Sequence, residues 1–492
     1  MVDAVIKPPH VFGRDAEWAG LASFVTRPAT HAMLGVVSGR RRMGKTYLLR
    51  ALVEQQRGFY FGATAATAGE SLRQFGTALA SYAGSPSPFS FATWDDAISY
   101  LFSLAAPNRS DGPLLVVIDE FPYLAKTAPE LPSVIQREID RFQVEPSSMR
   151  LMLCGSAMSV MGGLLARTAP LRGRAQLELV VRPFGYRDSA EFWGVADDPA
   201  LAARLHAVLG GTPAYRRQFL ADDAPTSLQD FDEWISRTVL SPLSPLFREA
   251  RYLLAEETDI RDTALYHSVL AAVAEGNSTR GGIANYIGRK AVDISHPLNV
   301  LEDSHLLERE EDMFRSGRAQ YRITEPLINF YESVMRPAWA RLESGQGNEV
   351  WAQSGERFSA KVAGPHFETI CREYMLGAGQ SLLDGSLGQV GRGVVSDATR
   401  HQQIEVDVAV TERPRGTARV RVAMLGEAKW GTVMGINHLD RLTRARELLS
   451  HRGLDTAGCL LTCFSAEGFS DALRAAADRD DVQLVTLEDL YH

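Results

Sequence analysis

The hydrophobic positions in the first part of the chain form short continuous runs rather than alternating with polar residues. Three runs lie at Leu34 to Val37, Leu114 to Ile118 and Met149 to Cys154, and shorter ones at 59–61 and 177–181. Strands that are buried on both faces of a sheet give such runs, whereas half-exposed strands alternate. Helical stretches separate the runs. The pattern predicts an α/β fold built on a parallel sheet.

A basic loop bounded by glycines follows the first of these strands. It matches the phosphate-loop pattern at Gly39, Gly44, Lys45 and Thr46. The glycines let backbone N–H groups close around phosphate oxygens, and the helix that begins at the loop points its positive end toward them. Lys45 would supply a mobile charge and Thr46 a hydroxyl for Mg²⁺, while Arg40 to Arg42 are expected to face outward toward a partner or a lid.

Lysine is scarce in this chain, which gives Lys45 additional weight. Only six of the 52 basic residues are lysines, and the others are arginines. A planar guanidinium does not replace a compact ammonium on a flexible stem, so a retained lysine indicates a candidate site. Lys429 is another of the six.

The apolar run that ends near residue 118 delivers two carboxylates, Asp119 and Glu120. Ligands of open parallel sheets bind beyond the carboxyl ends of the strands, so both side chains are expected near the phosphate loop. Asp119 is predicted to help hold Mg²⁺, and Glu120 to orient or deprotonate water beside the γ-phosphate. Ser156 follows the next apolar run. It is expected to lie between the end of the strand before the phosphate loop and the end of the strand that carries Asp119. It is predicted to be a sensor of the γ-phosphate, or alternatively a cap of the following helix.

Two later stretches concern how a nucleotide would be enclosed. Arg172 and Arg174 lie in a loop before the strand at 177–181, where either could reach a γ-phosphate or be solvated at the surface. Helical stretches at 186–220 are interrupted by Gly210, Gly211 and Pro213. This interruption predicts a hinge, consistent with a small helical lid over the nucleotide.

The hydrophobic pattern changes beyond residue 262. Helical stretches at 263–275 and 279–287, and a third that begins near Ala291, precede two apolar stretches joined by a basic turn at 314–318. Three helices and a hairpin predict a winged-helix module. Its third helix could enter the DNA major groove, with phosphates contacted by four basic residues. These are Arg289, Lys290, Arg315 and Arg318.

The same module also has an interpretation without DNA. Its candidate recognition helix carries Asp293, Glu302 and Asp303, and these carboxylates would repel phosphates. The alternative is therefore an intramolecular regulator packed on the nucleotide-binding part of the chain.

A further cluster of charged residues lies on two strands near the C-terminus. The strands are expected at 405–410 and 421–430, after a helix at 366–374 and glycine-rich turns. Alternation places Asp407 with Glu405 on one face, and Glu427 with Lys429 on one face of the next strand. Asp407 and Glu427 would hold Mg²⁺, and Lys429 would steady a nucleophilic water or the charge of a phosphorane. The alternative interpretation of Lys429 is a solvated strand end.

Composition narrows the class of protein. A chain of 492 residues is too long for one core, and 45% hydrophobic and 23% charged residues are typical of globular proteins. A membrane span is not expected, because no apolar run reaches about 18 residues, and a signal peptide is not expected, because the N-terminal residues do not form a charged and then apolar leader. The four cysteines lack metal-ligand spacing, which predicts buried reduced thiols and a cytoplasmic location. The net charge of −8 means that nucleic acid would bind only to local arginine-rich surfaces.

The order of motifs in the first part of the chain resembles the STAND-like ATPases of the AAA+ superfamily. It is most similar to the clade whose members often carry a C-terminal DUF234-type nuclease-like domain. The resemblance covers about 220 residues and implies ATP binding, slow hydrolysis and conformational switching. It places Phe12 and Arg14 beside the adenine, although an aromatic staple at a helix start would equally explain Phe12. Other nucleotide contacts that it implies are Met43, Tyr47 and Pro213.

The C-terminal part of the chain resembles the PD-(D/E)xK nuclease superfamily. Glu427-Ala428-Lys429 matches the E-x-K motif, Asp407 its aspartate and Glu368 its helical acid. The resemblance implies that Mg²⁺ is held by Glu368, Asp407 and Glu427. Val406 stands where the motif has proline, and this departure removes no ligand.

These patterns predict five segments. We expect a P-loop ATPase core at 1–184, a helical lid at 185–240, a winged-helix domain at 241–342, a linker at 343–348 and a restriction-endonuclease-like α/β domain at 349–492. One hypothesis is an ATP-regulated, Mg²⁺-dependent nuclease that acts on DNA or RNA, with DNA favoured. The other is a STAND-type switch that binds DNA, a protein partner or itself, with a C-terminal domain that is not catalytic.

Overall fold

The computed structural model describes residues 5–105, 112–166, 168–255, 262–383, 385–413, 420–478 and 482–492. Contacts between residues divide the chain into two compact units. The first unit includes 5–183 and the short segment Thr212–Ala214. The second includes 184–211 and the described residues from 215 onward.

The first unit is built on a five-stranded parallel sheet with the strand order β2-β3-β4-β1-β5. Its strands are β1 (Met33–Ser38), β2 (Phe59–Gly62), β3 (Leu114–Asp119), β4 (Met149–Gly155) and β5 (Ala175–Val180). Its helices are α1 (Asp15–Thr26), α2 (Lys45–Gln56), α3 (Ala68–Tyr82), α4 (Trp94–Ser103), α5 (Phe121–Thr127), α6 (Leu131–Arg141) and α7 (Met158–Gly163). The α/β fold with a parallel sheet is therefore confirmed.

Both faces of this sheet are covered, which explains the continuous apolar runs. Helices α1 and α2 pack on one face through residues such as Phe24 and Leu52, and α3 to α6 cover the other through residues such as Phe75 and Ile135. Strands β1, β3 and β4 are almost entirely buried. The polar residues at or just after the ends of these strands, such as Asp119 and Ser156, therefore lie at the carboxyl edge of the sheet.

The second unit contains many short helices. They are α8 (Tyr186–Trp193), α9 (Pro199–Leu209), α10 (Leu228–Arg237), α11 (Leu246–Ala255), α12 (Thr263–Ala274), α13 (Arg280–Tyr286), α14 (Ser295–Asp303), α15 (Pro326–Phe330), α16 (Trp339–Glu343), α17 (Gly347–Gln353), α18 (Gly355–Phe358), α19 (Gly364–Leu376), α20 (Ile436–His451), α21 (Asp471–Ala477) and α22 (Leu487–Tyr491). Irregular helical turns lie at Tyr215–Phe219, Tyr331–Met335, Arg336–Ala338, Ser359–Ala363 and Ala378–Leu382. The stretch 343–348, expected to be a linker, contains the last residue of α16, the connection at 344–346 and the first two residues of α17.

Three helices and an antiparallel hairpin follow one another between residues 263 and 323, as the sequence predicts. The helices are α12 to α14, and the hairpin pairs β6 (Leu307–Glu311) with β7 (Ala319–Ile323). The third helix begins at Ser295, so the expected start near Ala291 is wrong by one helical turn.

A second five-stranded sheet lies in the C-terminal part of this unit, in the order β12-β11-β10-β9-β8. Its strands are β8 (Leu387–Asp397), β9 (Gln402–Glu412), β10 (Val422–Lys429), β11 (Leu460–Ser465) and β12 (Val482–Thr486). Strands β8, β9 and β10 are antiparallel, and β10, β11 and β12 are parallel. Strand β8 replaces the expected glycine-rich turns.

The four cysteines are buried and free, as predicted. In the described parts of the chain, the structure contains no helix with the length and apolar character needed to cross a membrane.

Candidate functional site

The loop that follows β1 is held in a conformation that depends on its glycines. Gly39 has φ +150°, and a Cβ atom there would lie 2.4 Å from the main-chain oxygen of Val181. Gly44, which caps the start of α2, has φ +84°, and Arg42 has φ +71°. A loop with several left-handed residues before a helix turns successive N–H groups inward, which favours a bound anion. The predicted phosphate loop is thus placed at the carboxyl edge of the sheet.

Lys45 lies inside this loop rather than in solvent. Its Nζ donates to the main-chain oxygens of Gly39 at 2.6 Å and Arg40 at 2.8 Å, and the residue is only 6% exposed. Burial lowers the pKa of Lys45, although the charges of Glu120 and Asp119 act in the opposite direction. The ammonium is therefore bound to carbonyl oxygens, which an incoming phosphate could replace with negative oxygens.

Asp119 is the centre of the hydrogen bonds at the end of β3. Its Oδ2 accepts from the Thr46 hydroxyl and from the Tyr60 hydroxyl, each at 2.7 Å, and its Oδ1 accepts from the Glu120 N–H at 2.9 Å. Burial alone would raise the pKa of Asp119, but the hydrogen bonds from Thr46, Cys154 and Tyr60 outweigh it and the pKa is lowered. The carboxylate stays ionised beside the loop. A threonine hydroxyl and a carboxylate this close are the oxygen donors that Mg²⁺ prefers.

Glu120 follows in an unusual backbone conformation. Its φ is +52°, in the left-handed region that non-glycine residues seldom adopt, and α5 begins at the next residue. The Ser156 hydroxyl, at the end of β4, lies 3.1 Å from Oε2 and 3.3 Å from Oε1 of Glu120. Strand β4 lies between β1 and β3, so Ser156 stands between the two strand tips, as expected. The helix cap before α7 is Ala157 without a side-chain bond, so the alternative of a capping serine is wrong.

The N-terminal segment lies against the start of α2. Arg14 donates to the main-chain oxygens of Met43 at 3.1 Å and Arg182 at 2.7 Å. The Tyr47 hydroxyl donates to the main-chain oxygen of His10 at 3.3 Å, and the side chain is 55% exposed. Met43 is buried in the core beneath the loop, so its main chain, not its side chain, borders the loop.

Two other predicted nucleotide contacts are placed beside these residues. Phe12 is half-buried, two residues before Arg14. The ring of Pro213 lies 3.8 Å from the position that a Cβ of Gly44 would take. Neither observation identifies an adenine pocket, and their roles stay predictions.

The arginines around the loop are placed differently from one another. Arg40 is only 7% exposed, so the expectation that it faces outward is wrong, whereas Arg41 is half-buried and donates to the Tyr123 hydroxyl at 3.0 Å.

Arg174 forms two hydrogen bonds with the Asp140 carboxylate, at 2.6 Å and 2.8 Å. Arg172 is exposed. The bond to α6 gives Arg174 a structural partner within its own chain.

A second group of candidate residues lies in the C-terminal sheet. Arg392 of β8 stands opposite both Asp407 and Val408 of β9, because the pairing shifts between Gly391 and Gly393. Such a bulge bends a strand and redirects a side chain, and it is common next to active sites. The Asp407 Oδ2 accepts from the Ala428 N–H at 2.9 Å, which ties the carboxylate to β10.

Helix α19 brings Glu368 and Arg372 to the same place. The Arg372 Nη1 donates to the main-chain oxygen of Asp407 at 2.9 Å and lies 3.9 Å from Glu368. Burial and the nearby Asp407 charge raise the pKa of Glu368 to about 7. Burial alone would lower the pKa of Lys429, but the charges of Asp407, Glu427 and Glu368 outweigh the effect of burial, and the pKa is raised. The three predicted carboxylates therefore all act electrostatically on Lys429.

Glu427 is held by two cations. Its Oε1 lies 3.1 Å from Lys429 and 3.0 Å from Arg441 of α20, and the residue is 1% exposed. Its Oε2 is buried and accepts no hydrogen bond from the described residues. A buried carboxylate oxygen without a partner is costly, and a cation would remove that cost.

The predicted metal set is nevertheless incomplete as a cage. Within the described ranges, no three His, Cys, Asp or Glu side chains are arranged so that they could hold a metal ion by themselves. Mg²⁺ is commonly held by one or two carboxylates together with substrate phosphate and water. Glu368, Asp407 and Glu427 would fit that kind of site, and their role as ligands stays a prediction. Glu405 is exposed on β9.

Sequence reasoning missed residues that support the predicted ones. Tyr60 binds Asp119, Arg372 binds Asp407, and Arg441 binds Glu427. Only Arg372 left a signal, because it lies four residues after Glu368 and hence on the same face of a helix. Tyr60 and Arg441 are brought in by strand order and helix packing, which a local pattern does not contain.

Comparison with known proteins gives only distant similarity. No family model matches the chain. An uncharacterised protein of Methanocaldococcus jannaschii is 27% identical over 350 residues, which cover 69% of this chain and 72% of that protein.

Among solved structures, a Walker-type ATPase of Pyrococcus abyssi has 19% identity and a TM-score of 0.48, covering 65% of this chain and 96% of that one. The ORC2 protein of Aeropyrum pernix, in ADPNP–ADP complexes, has 13% identity and a TM-score of 0.42, covering 72% and 98%. At these scores, the assignment of a function depends on the geometry of the site.

Proposed function

We propose that the protein binds ATP with Mg²⁺ at the loop from Gly39 to Thr46 and hydrolyses it, as the resemblance to AAA+ and STAND-like ATPases implies. One observation carries the proposal. A glycine loop with a buried lysine, a threonine bonded to a strand-end aspartate, and a glutamate bonded to a neighbouring strand-end serine meet at one edge of a parallel sheet. Each of these groups suits one part of phosphoryl transfer.

Each residue has a definite task in this proposal. The loop N–H groups and the start of α2 bind the phosphates, and Lys45 exchanges its two carbonyl partners for phosphate oxygens. Thr46 and Asp119 hold Mg²⁺, which when bound neutralises charge on the β- and γ-phosphate oxygens. Glu120 accepts a proton from the attacking water, and Ser156 keeps its carboxylate in position.

Hydrolysis of ATP by the Lys45→Ala protein tests this proposal. We expect a loss of at least about 100-fold, because one preorganised charge that stabilises the transition state is removed. Lys126→Ala is the matched control, since Lys126 is exposed on α5. Equal rates for Lys45→Ala and Lys126→Ala would contradict the proposal.

We further propose that the C-terminal site cleaves phosphodiester bonds of DNA or RNA with Mg²⁺, and that DNA is the preferred substrate. The supporting observation is geometric: Arg372 contacts both Asp407 and Glu368, and the Asp407 carboxylate binds the Ala428 N–H beside Lys429, at a strand bulge. Asp407 and Glu427 hold Mg²⁺, which when bound polarises the scissile phosphate. Lys429 stabilises the negative charge that develops on the phosphorus oxygens. Nucleotide state at the phosphate loop would regulate this site.

A second candidate function is a STAND-type switch whose C-terminal domain binds nucleic acid or protein without cleaving it. The ion pairs of Glu427 with Lys429 and Arg441 favour this candidate, because they occupy a predicted ligand. Such a protein would self-associate or bind its partner according to the nucleotide that it holds.

Cleavage of labelled DNA and RNA with Mg²⁺ or Mn²⁺, with and without ATP, separates the two candidates. The nuclease predicts cleavage that decreases at least about 100-fold in Lys429→Ala and Glu427→Ala. Glu405→Ala, an exposed change on β9, is the control. Without cleavage in any condition, the switch predicts assembly or binding that depends on ATP and is lost in Lys45→Ala.

A further inference from the structure

The tip of the β6–β7 hairpin lies across the edge strand of the C-terminal sheet. The Met313 N–H donates to the main-chain oxygen of Arg392 at 3.1 Å, and the Val394 N–H donates to Asp312 Oδ1 at 3.3 Å. Phe314 packs so closely that a Cβ on Gly393 would lie 2.4 Å from its ring. The hairpin therefore covers a strand edge that would otherwise be open to other chains.

This contact also changes the expected role of the basic turn. Arg315 donates to the Ser396 hydroxyl and lies 3.5 Å from Gln403. One of the arginines predicted to contact DNA phosphates is thus bound to the C-terminal sheet. The hairpin therefore contacts the C-terminal sheet of its own chain.

Docking of the hairpin places Glu310 among arginines. Its Oε1 accepts from Arg322 Nε at 2.8 Å and lies 3.9 Å from Arg372. Burial would raise the pKa of Glu310, but Arg372, Arg322 and Arg392 outweigh it, and the pKa is lowered. Glu310 is therefore a charged anion in a site formed partly by the hairpin and partly by the C-terminal sheet.

The fit of Glu310 in this site is poor. Its Oε2 is buried and accepts no hydrogen bond from the described residues. The separation of 3.9 Å from Arg372 is too long for a hydrogen bond. Arg322 belongs to the hairpin, so Glu310 would keep its closest partner if the hairpin moved away. Arg372 and Arg392 would then have lost an anion.

These two arginines adjoin the predicted catalytic residues. Arg372 binds the main-chain oxygen of Asp407, and the charge of Arg392 acts on both Glu310 and Glu368. A single arginine side chain can bind two phosphate oxygens at once, and a phosphodiester offers more acceptor positions than one carboxylate oxygen.

We propose that Arg372 and Arg392 form a binding site for a backbone phosphate of nucleic acid, and that Glu310 occupies it while the hairpin is docked. The docked hairpin closes the C-terminal site, and the site opens when the hairpin moves away from β8. The proposal rests on the nuclease-like function proposed above only for the class of ligand, because binding does not require cleavage.

Equilibrium binding of a fluorescein-labelled DNA duplex to the full chain tests the proposal. Glu310→Gln keeps the side-chain size and removes the charge, and Glu311→Gln removes one charge from an exposed position of the same strand. We expect Glu310→Gln to bind at least about threefold more tightly than Glu311→Gln, because the repulsion lies at the contact itself. One new phosphate contact would steepen the dependence of log K on log salt by about 0.9.

A second variant removes the docked state without changing charge. Gly393→Ala places a methyl group against Phe314 and should displace the hairpin tip, with a similar gain in affinity. Adding Arg392→Gln to Glu310→Gln should abolish the gain. If Glu310→Gln and Gly393→Ala both bind DNA like Glu311→Gln, the proposal is wrong. A gain in affinity without cleavage would support the binding site and refute only the nuclease.

Discussion

Replacement of Glu120 by glutamine tests the catalytic part of the site in isolation. The side chain keeps its size and one oxygen that can still accept from Ser156, but it can no longer accept a proton. That bond is 3.1 Å long and half-buried, so exchanging its charged acceptor for an amide oxygen should cost no more than about 1 kcal/mol of folding stability. The loop is unchanged and Lys45 keeps its two main-chain partners, so ATP affinity should stay within about threefold of the unmodified protein.

The expected effect on catalysis is much larger. A positioned general base contributes about 10²- to 10⁴-fold, which corresponds to about 3–5 kcal/mol of activation free energy. The rate of a single turnover, measured with ATP and Mg²⁺ at saturating protein, reports this step. Glu130→Gln is the matched control, because Glu130 is exposed before α6 and its side chain makes no capping bond. A Glu120→Gln rate within about twofold of that control would refute the assignment of Glu120 as base.

Three further predictions concern stability and the support of the site. Gly39→Ala should lower the free energy of unfolding by about 1–3 kcal/mol in denaturant titrations, because its Cβ would meet Val181 O at 2.4 Å; no loss would contradict the close approach. Tyr60→Phe should raise the Mg²⁺ concentration needed for half-maximal hydrolysis about 10-fold, because it removes a hydrogen bond to Asp119. An unchanged Mg²⁺ titration would exclude a role of Tyr60 in metal binding. Burial lowers the pKa of His206 to about 4, below about 6.5 in an unfolded chain, so the unfolded state binds more protons between these values. The stability that the neutral His206 contributes should be complete above about pH 6.5 and should decrease toward pH 4. In His206→Phe, the free energy of unfolding should therefore fall less steeply with decreasing pH over that range.

The sequence was informative where one local pattern was sufficient. The phosphate loop and the strand ending in Asp119 are continuous in sequence, and burial on both faces produces runs of apolar residues that can be recognised. The position of Ser156 between the strand tips followed from the same reasoning, since β4 lies between β1 and β3.

Strand β8 was missed because glycines interrupt it. Gly391 and Gly393 read as turn residues, yet they are strand positions where Met313 and Phe314 approach too closely for a side chain. A distant contact, not the local backbone, decides these residues. The same limitation applies to Glu310, whose arginine partners come from three elements beyond its own strand, namely β7, β8 and α19.

The support of Asp407 could not be derived from alternation. The strand expected at 405–410 is present, but a bulge opposite Arg392 redirects its side chains, and no periodic pattern indicates a bulge. Arg372 reaches Asp407 from a helix that the sequence did predict. The strands that carry these residues were thus predictable, and the relative geometry of their side chains was not.

Calorimetric titration of the full chain with ATP tests the central claim most directly. The phosphate loop predicts saturable binding of a single ATP per chain that is strengthened by Mg²⁺, because Thr46 and Asp119 lie together beside the loop. Lys45→Ala should weaken this binding at least about 10-fold, and Lys126→Ala should leave it unchanged. Absence of saturable binding, or equal affinity for Lys45→Ala and the unmodified protein, would contradict the account.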